Sequence, residues 1–210
     1  MGSGACLLDA ARSGFDEGVQ RRIWAAARDA RAIDGMLECV PGMNNLLLVF
    51  DALRIDAPAL DKALQDIWAH ATPLAIAGRA LDIPVVYGGS GGEDLVELAE
   101  LTGLDVETVV RRHAAARYTV AAVGAMPGFP YLSGLDPALA WGRRASPRLE
   151  VMEGAVMIGG TQAGIMPCTA PSGWHIIGHT DITLFDPTAA DPALLKPGDT
   201  VRFTVAGIEA

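Results

Sequence analysis

Cysteine is scarce in this 210-residue chain. Only Cys6, Cys39 and Cys168 occur, and no two of them form a CxxC pair. An odd, sparse count excludes a disulfide framework and fits a reducing compartment. All three are read as buried structural residues. Basic charge is also in short supply. Sixteen Lys and Arg against 25 Asp and Glu leave a net charge of -9. Nucleic acid and anionic membrane surfaces repel such a chain, so neither is expected as a partner. No apolar run approaches the roughly 18 residues of a membrane span. The first residues lack the pattern of a secretory leader, and the expected location is cytoplasmic. GxxxxGKS/T and kinase signatures are absent too, so a Walker-type phosphate loop is excluded.

What is present alternates in an orderly way. Residues 5–9 read as a strand. Residues 16–31 read as a helix with Val19, Ile23, Trp24 and Ala27 on one face. Residues 36–40 and 45–51 read as strands around a Pro41-Gly42 turn. Asp56 with Pro58 starts a second helix, running to about His70. Residues 81–88 are extended. The order βαββαβ is the ferredoxin-like pattern, and it predicts an α+β domain over 1–86. Residues 90–116 then hold two helices, divided at Thr102-Gly103, the second capped by Asp105. Their acidic faces argue against a DNA-binding helix-turn-helix. Beyond Tyr118 only short strand candidates appear: 118–124, 148–154, 155–160, 173–180, 182–186 and 200–207. They predict an all-β barrel or sandwich domain over 87–210, with the two helices at its start.

The motifs carry a resemblance. Gly128-Phe129-Pro130-Tyr131-Leu132-Ser133-Gly134-Leu135 is similar to the PGFxYLxGL motif of the KipI / PxpB family, the B-type subunits of 5-oxoprolinase. That family is also known as allophanate hydrolase subunit 1, or carboxyltransferase subdomain C/D. Pro147-Arg148, Gly159-Gly160, Gly164-Ile165 and Pro167 resemble its next run. Ser172-Gly173-Trp174-His175-Ile176-Ile177-Gly178-His179-Thr180 resembles its PGGWxLIGRT box. Leu184-Phe185-Asp186 and Pro197-Gly198-Asp199 resemble its closing motifs. The resemblance implies a cyclophilin-like barrel after the α+β domain. It also implies a subunit of a heteromeric, ATP-dependent amidohydrolase that opens 5-oxoproline to glutamate. Implied partners are a C-type subunit (allophanate hydrolase subunit 2 type) with a related barrel, and a LamB/YcsF-type A subunit. ATP is the implied cosubstrate, bound in the complex, and the chain alone is expected to be inactive. Two alternatives stay open: a KipI-type inhibitor of a sensor histidine kinase, and a carboxyltransferase component acting on a urea-like substrate.

Three of the four histidines are candidate catalytic groups: His113, His175 and His179. A zinc site at His175 and His179 does not suit a strand, where four residues span about 13 Å, and no metal is expected. Their even spacing predicts both imidazoles on one strand face, lining one cleft. Candidate ligand-binding residues are Phe129, Tyr131, Arg144, Arg148, Gly159, Gly160, Gln162, Trp174 and Thr180. For each there is a bland alternative: core packing for His113, Phe129 and Tyr131, solvated surface for the arginines, and a bulge for Gly159 and Gly160.

Overall fold

The structure, a computed structural model, describes residues 4–11, 14–74 and 78–209. The chain divides into two compact units, Met1–Ile76 and Ala77–Ala210. In the first, β1 (Ala5–Asp9), β2 (Met36–Pro41) and β3 (Asn45–Phe50) form an antiparallel sheet in the order β1-β3-β2. Two helices accompany it, α1 (Glu17–Ala30) and α2 (Ala57–His70). α2 starts where the sequence places its start signal, with Asp56 accepting from the Ala59 N–H, and Asp16 caps α1 in the same way, accepting from the Val19 N–H. The core joins Ile23, Ala27 and Ala30 of α1 to Leu46, Leu48 and Phe50 of β3 and Leu60 and Leu64 of α2. Asn44 stands in a left-handed turn at φ 57, with its N–H and side chain held by Gln20 and Asp16.

The expected fourth strand is not in this sheet. β4 (Ala80–Gly88) pairs instead with two strands of the second unit. Its period-two pattern predicts a strand but cannot say which sheet receives it. So the four-stranded ferredoxin-like sheet over 1–86 does not form, and the boundary falls between 76 and 77 rather than 86 and 87.

The second unit is built on a closed seven-stranded barrel. Its members are β4, β5 (Tyr118–Val123), β6 (Pro130–Ser133), β8 (Ala155–Gly159), β9 (Gln162–Ile165), β11 (His175–His179) and β12 (Thr200–Glu209). They close in the order β11-β4-β12-β5-β6-β9-β8. β12 runs parallel to β4 along nearly its whole length. The interior is apolar: Ile83, Val85 and Tyr87, then Val156, Ile158, Ile177 and Phe203. Two helices, α3 (Leu95–Thr102) and α4 (Val106–Ala115), add Leu95, Leu98, Val109 and Val110 to the same core. Gly103 ends α3 at φ 70 and Asp105 caps α4, as the sequence predicts. The expected strand over 182–186 is reduced to one bridge, Phe185 to Ala193. Its motif is a turn held by Asp186, whose carboxylate accepts from Thr188.

A second layer lies outside the barrel wall. β7 (Arg148–Val151) and β10 (Ala170–Ser172) form a separate two-stranded ribbon. Val151 and Ala170 of this ribbon pack with Phe129, Ala155, Met157, Met166, Trp174 and Ile176. β8 therefore sends Val156 and Ile158 inward and Ala155 and Met157 outward, the alternation of a strand buried on both faces.

Candidate active site

His113 is brought to no cleft. It is 0% exposed, on the inward face of α4. Its Nδ1 is 2.8 Å from the Tyr87 hydroxyl, and its ring stacks on Phe203 at 4.5 Å. Burial pushes its pKa down to about 3, so the ring is neutral at physiological pH. The structure gives it a packing role.

His175 and His179 do not share a face. A bulge between Ile176 and Gly178 resets the register against β8. His175 pairs with the inward-facing Ile158, and His179 with the outward-facing Ala155. His175 is buried, with Nε2 3.0 Å from the Gly142 carbonyl. His179 is half-exposed and lies 3.1 Å from Asp181. It lines a groove of about 460 Å³ with Ser90, Glu93, Glu150, Glu153 and Glu209. The even-spacing expectation fails because a bulge adds a residue that no periodicity reveals. Thr180 is buried beside His179, its N–H donating to the Gly154 carbonyl.

Arg144 and Arg148 are occupied. Arg148 grips Asp94 with two nitrogens, each 2.7 Å from a carboxylate oxygen. Arg144 reaches Asp94 and Glu97 at 2.7 Å each. Asp94 also accepts the Ile176 N–H at 2.8 Å, which ties the start of α3 to β11. Its side chain is 2% exposed. Burial alone would raise the Asp94 pKa. The hydrogen bonds from Arg148 and Ile176, with the charges of Arg148 and Arg144, outweigh burial and hold it below the usual carboxylate range. Asp94, Glu97 and His175 bring ligand-type atoms within 4.8 Å of one another. The two guanidinium groups already neutralise those carboxylates, so the cluster reads as an ion-pair knot. Sequence reading gave Asp94 no role, because its partners stand 50 and 54 positions away.

The aromatic residues do converge. Phe129, Tyr131 and Trp174 meet edge-on, at centroid distances of 5.0, 5.6 and 6.2 Å. They border a pocket of about 190 Å³ on the outer wall, with Met126, Met166 and Arg143. Gly159 makes this possible. A Cβ there would stand 2.4 Å from the Trp174 ring. Gly160 serves the tight turn between β8 and β9 at φ 66, and its N–H donates to Trp141 rather than facing a ligand. Gln162 is half-buried at the start of β9. Arg143, which sequence reading passed over in favour of its neighbours, holds its guanidinium 5.8 Å from the Trp174 centroid. Of the cysteines, Cys39 is buried, Cys6 half-buried and Cys168 exposed, so the structural reading fails at Cys168.

The second unit is thus a closed barrel with two helices packed on its core and an aromatic pocket on its outer wall. The family described as "Carboxyltransferase domain, subdomain C and D" matches residues 1–195, and the chain belongs to that family. A protein of Escherichia coli O157:H7, named as the B-type subunit of 5-oxoprolinase, is 44% identical over 187 residues, covering 88% of this chain and 84% of that one. One of the same name from Haemophilus influenzae is 44% identical over 190 residues, covering 90% and 89%. The crystal structure of TTHA0988 superposes with a TM-score of 0.83 at 36% identity. It covers 96% of this chain, which in turn spans only 39% of that longer one.

Proposed function

We propose that this chain is the B-type subunit of a heteromeric, ATP-dependent amidohydrolase that opens 5-oxoproline to glutamate. The observation that carries the reading is 44% identity to a protein of that name across 88% of this chain. The barrel is read as cyclophilin-like and the location as cytoplasmic. No helix among the described residues is long and apolar enough to cross a membrane.

A lactam is a resonance-stabilised amide that water attacks slowly. ATP supplies the activation: the amide oxygen takes the γ-phosphoryl group and ADP leaves. Water then adds to the electrophilic carbon, the ring C–N bond breaks, and the amine takes a proton. A second water releases phosphate from the acyl phosphate. The proton-transfer step asks for an accessible acid–base side chain. His179, half-exposed and oriented by Asp181, meets that need better than His113 or His175. The chain has no phosphate-loop motif, so the phosphoryl groups are assigned to a site completed by the C-type subunit. The LamB/YcsF-type A subunit completes the complex.

The test is reconstitution. The chain, co-purified with both partners, is expected to form glutamate from 5-oxoproline only with ATP, and the chain alone to form none. A complete, folded complex with no turnover would overturn the reading.

A further inference from the structure

Three neighbouring arginines of the barrel unit have different fates. Arg144 and Arg148 are committed to Asp94 and its acidic neighbours. Arg143 is exposed, and among the described residues no carboxylate pairs with it. Its guanidinium stands over the Trp174 ring at the lip of the aromatic pocket. Among the described residues, no acidic side chain lines that pocket. The nearby groove at His179 is the opposite, with four glutamates in its lining. In a chain of net charge -9, one outer-wall pocket thus offers a cation with no counter-charge and the other repels anions.

The walls fit a flat, mostly apolar ring. Phe129, Tyr131 and Trp174 stand at 65 to 87° to one another and present both faces and edges. The space, about 190 Å³, suits a small metabolite rather than a nucleotide. Ala125 in the lining is held at φ 66, a conformation that costs a non-glycine residue energy and recurs where backbone is shaped for a ligand.

We infer that this pocket binds a small cyclic carboxylate, its ring against Trp174, Phe129 and Tyr131 and its carboxylate paired with Arg143. If the proposed function holds, on which the choice of ligand rests, the bound molecule is the lactam substrate. Arg143 is then the residue that distinguishes 5-oxoproline from the uncharged ring, 2-pyrrolidinone. It acts on recognition, because the carboxylate does not change in the reaction.

The experiment compares wild type, Arg143→Met and Trp174→Leu in the reconstituted complex with both lactams. A lost charged hydrogen bond is worth roughly ten- to a hundredfold in affinity. Arg143→Met is therefore expected to raise KM for 5-oxoproline by about that factor with a smaller change in kcat. It should leave 2-pyrrolidinone unaffected. Arg143→Lys should restore part of the loss, since it keeps charge without the planar fork. Trp174→Leu should weaken both lactams alike. An unchanged KM in Arg143→Met, or an equal rise for both lactams, would overturn the inference. Should the wild-type complex turn over neither lactam, the proposed function fails and binding decides this one. Saturation-transfer NMR on the same complex should then show 5-oxoproline bound by wild type and lost in Arg143→Met. No binding to wild type, or equal binding to both, overturns it.

Discussion

The two faces of β8 are made by five consecutive residues, yet they solve different problems. Inside, Val156 and Ile158 meet a sealed apolar core in which even His113 is held neutral. Outside, Ala155, Met157 and Gly159 meet a thinner layer under the β7–β10 ribbon, where rings stand apart and leave a pocket. The difference teaches that closeness of packing, rather than residue type, separates support from site. Trp174 is 5% exposed, nearly as buried as the interior rings, but its edge borders open space.

The strongest way to break the comparison is to cut the tie between the outer layer and the helices. Asp94→Ala leaves the Arg148 and Arg144 charges without their buried partner. It should cost about 3 kcal/mol, the low end for a buried pair because both arginines retain some exposure. Denaturant melting would check this. The carboxyl titrates lower folded than unfolded. Its contribution is therefore complete above the ordinary carboxylate range and is lost as pH falls through the lowered folded value. Wild type should weaken on that acid limb, and Asp94→Ala should show a flatter one.

Gly159→Ala tests the outer layer alone. The new methyl would displace the Trp174 ring, at about 1 to 3 kcal/mol. Ligand binding and turnover should fall more than stability does. Normal binding in this variant would show that the ring's position is not what matters.

His113→Phe probes the interior. Unfolded histidine takes a proton near pH 6.5, whereas the folded ring resists until about 3. Stability is thus full above about 6.5 and erodes as pH falls between those values. The phenyl ring should shift the acid-unfolding midpoint downward. At neutral pH it should cost about 1 to 3 kcal/mol for the stranded Tyr87 hydroxyl. The smallest effect on stability belongs to His179→Ala, within about 0.5 kcal/mol for a half-exposed side chain. Its turnover should nonetheless drop. Wild-type kinetics would remove His179 from the chemistry.

Much of this architecture is legible in the sequence. The helix starts at Asp56 and Asp105 and the stop at Gly103 are local chemistry, and each stands where the sequence places it. The convergence of Phe129, Tyr131 and Trp174 was signalled by motif only, since nothing in their spacing says that they meet. The shared face of His175 and His179 was misread, because one extra residue in a strand inverts every side chain after it.

Local patterns by themselves determined the helices, most strands, the low basic charge and the family motifs. They depend on neighbours within a turn or a strand, which the sequence displays directly. Only the tertiary structure decided that β4 belongs to the barrel, that two arginines are consumed by Asp94, and that Arg143 has no carboxylate partner among the described residues. Those outcomes depend on which distant segments meet. Pairing between strands and between charges is set by the closed topology, and no local period encodes it.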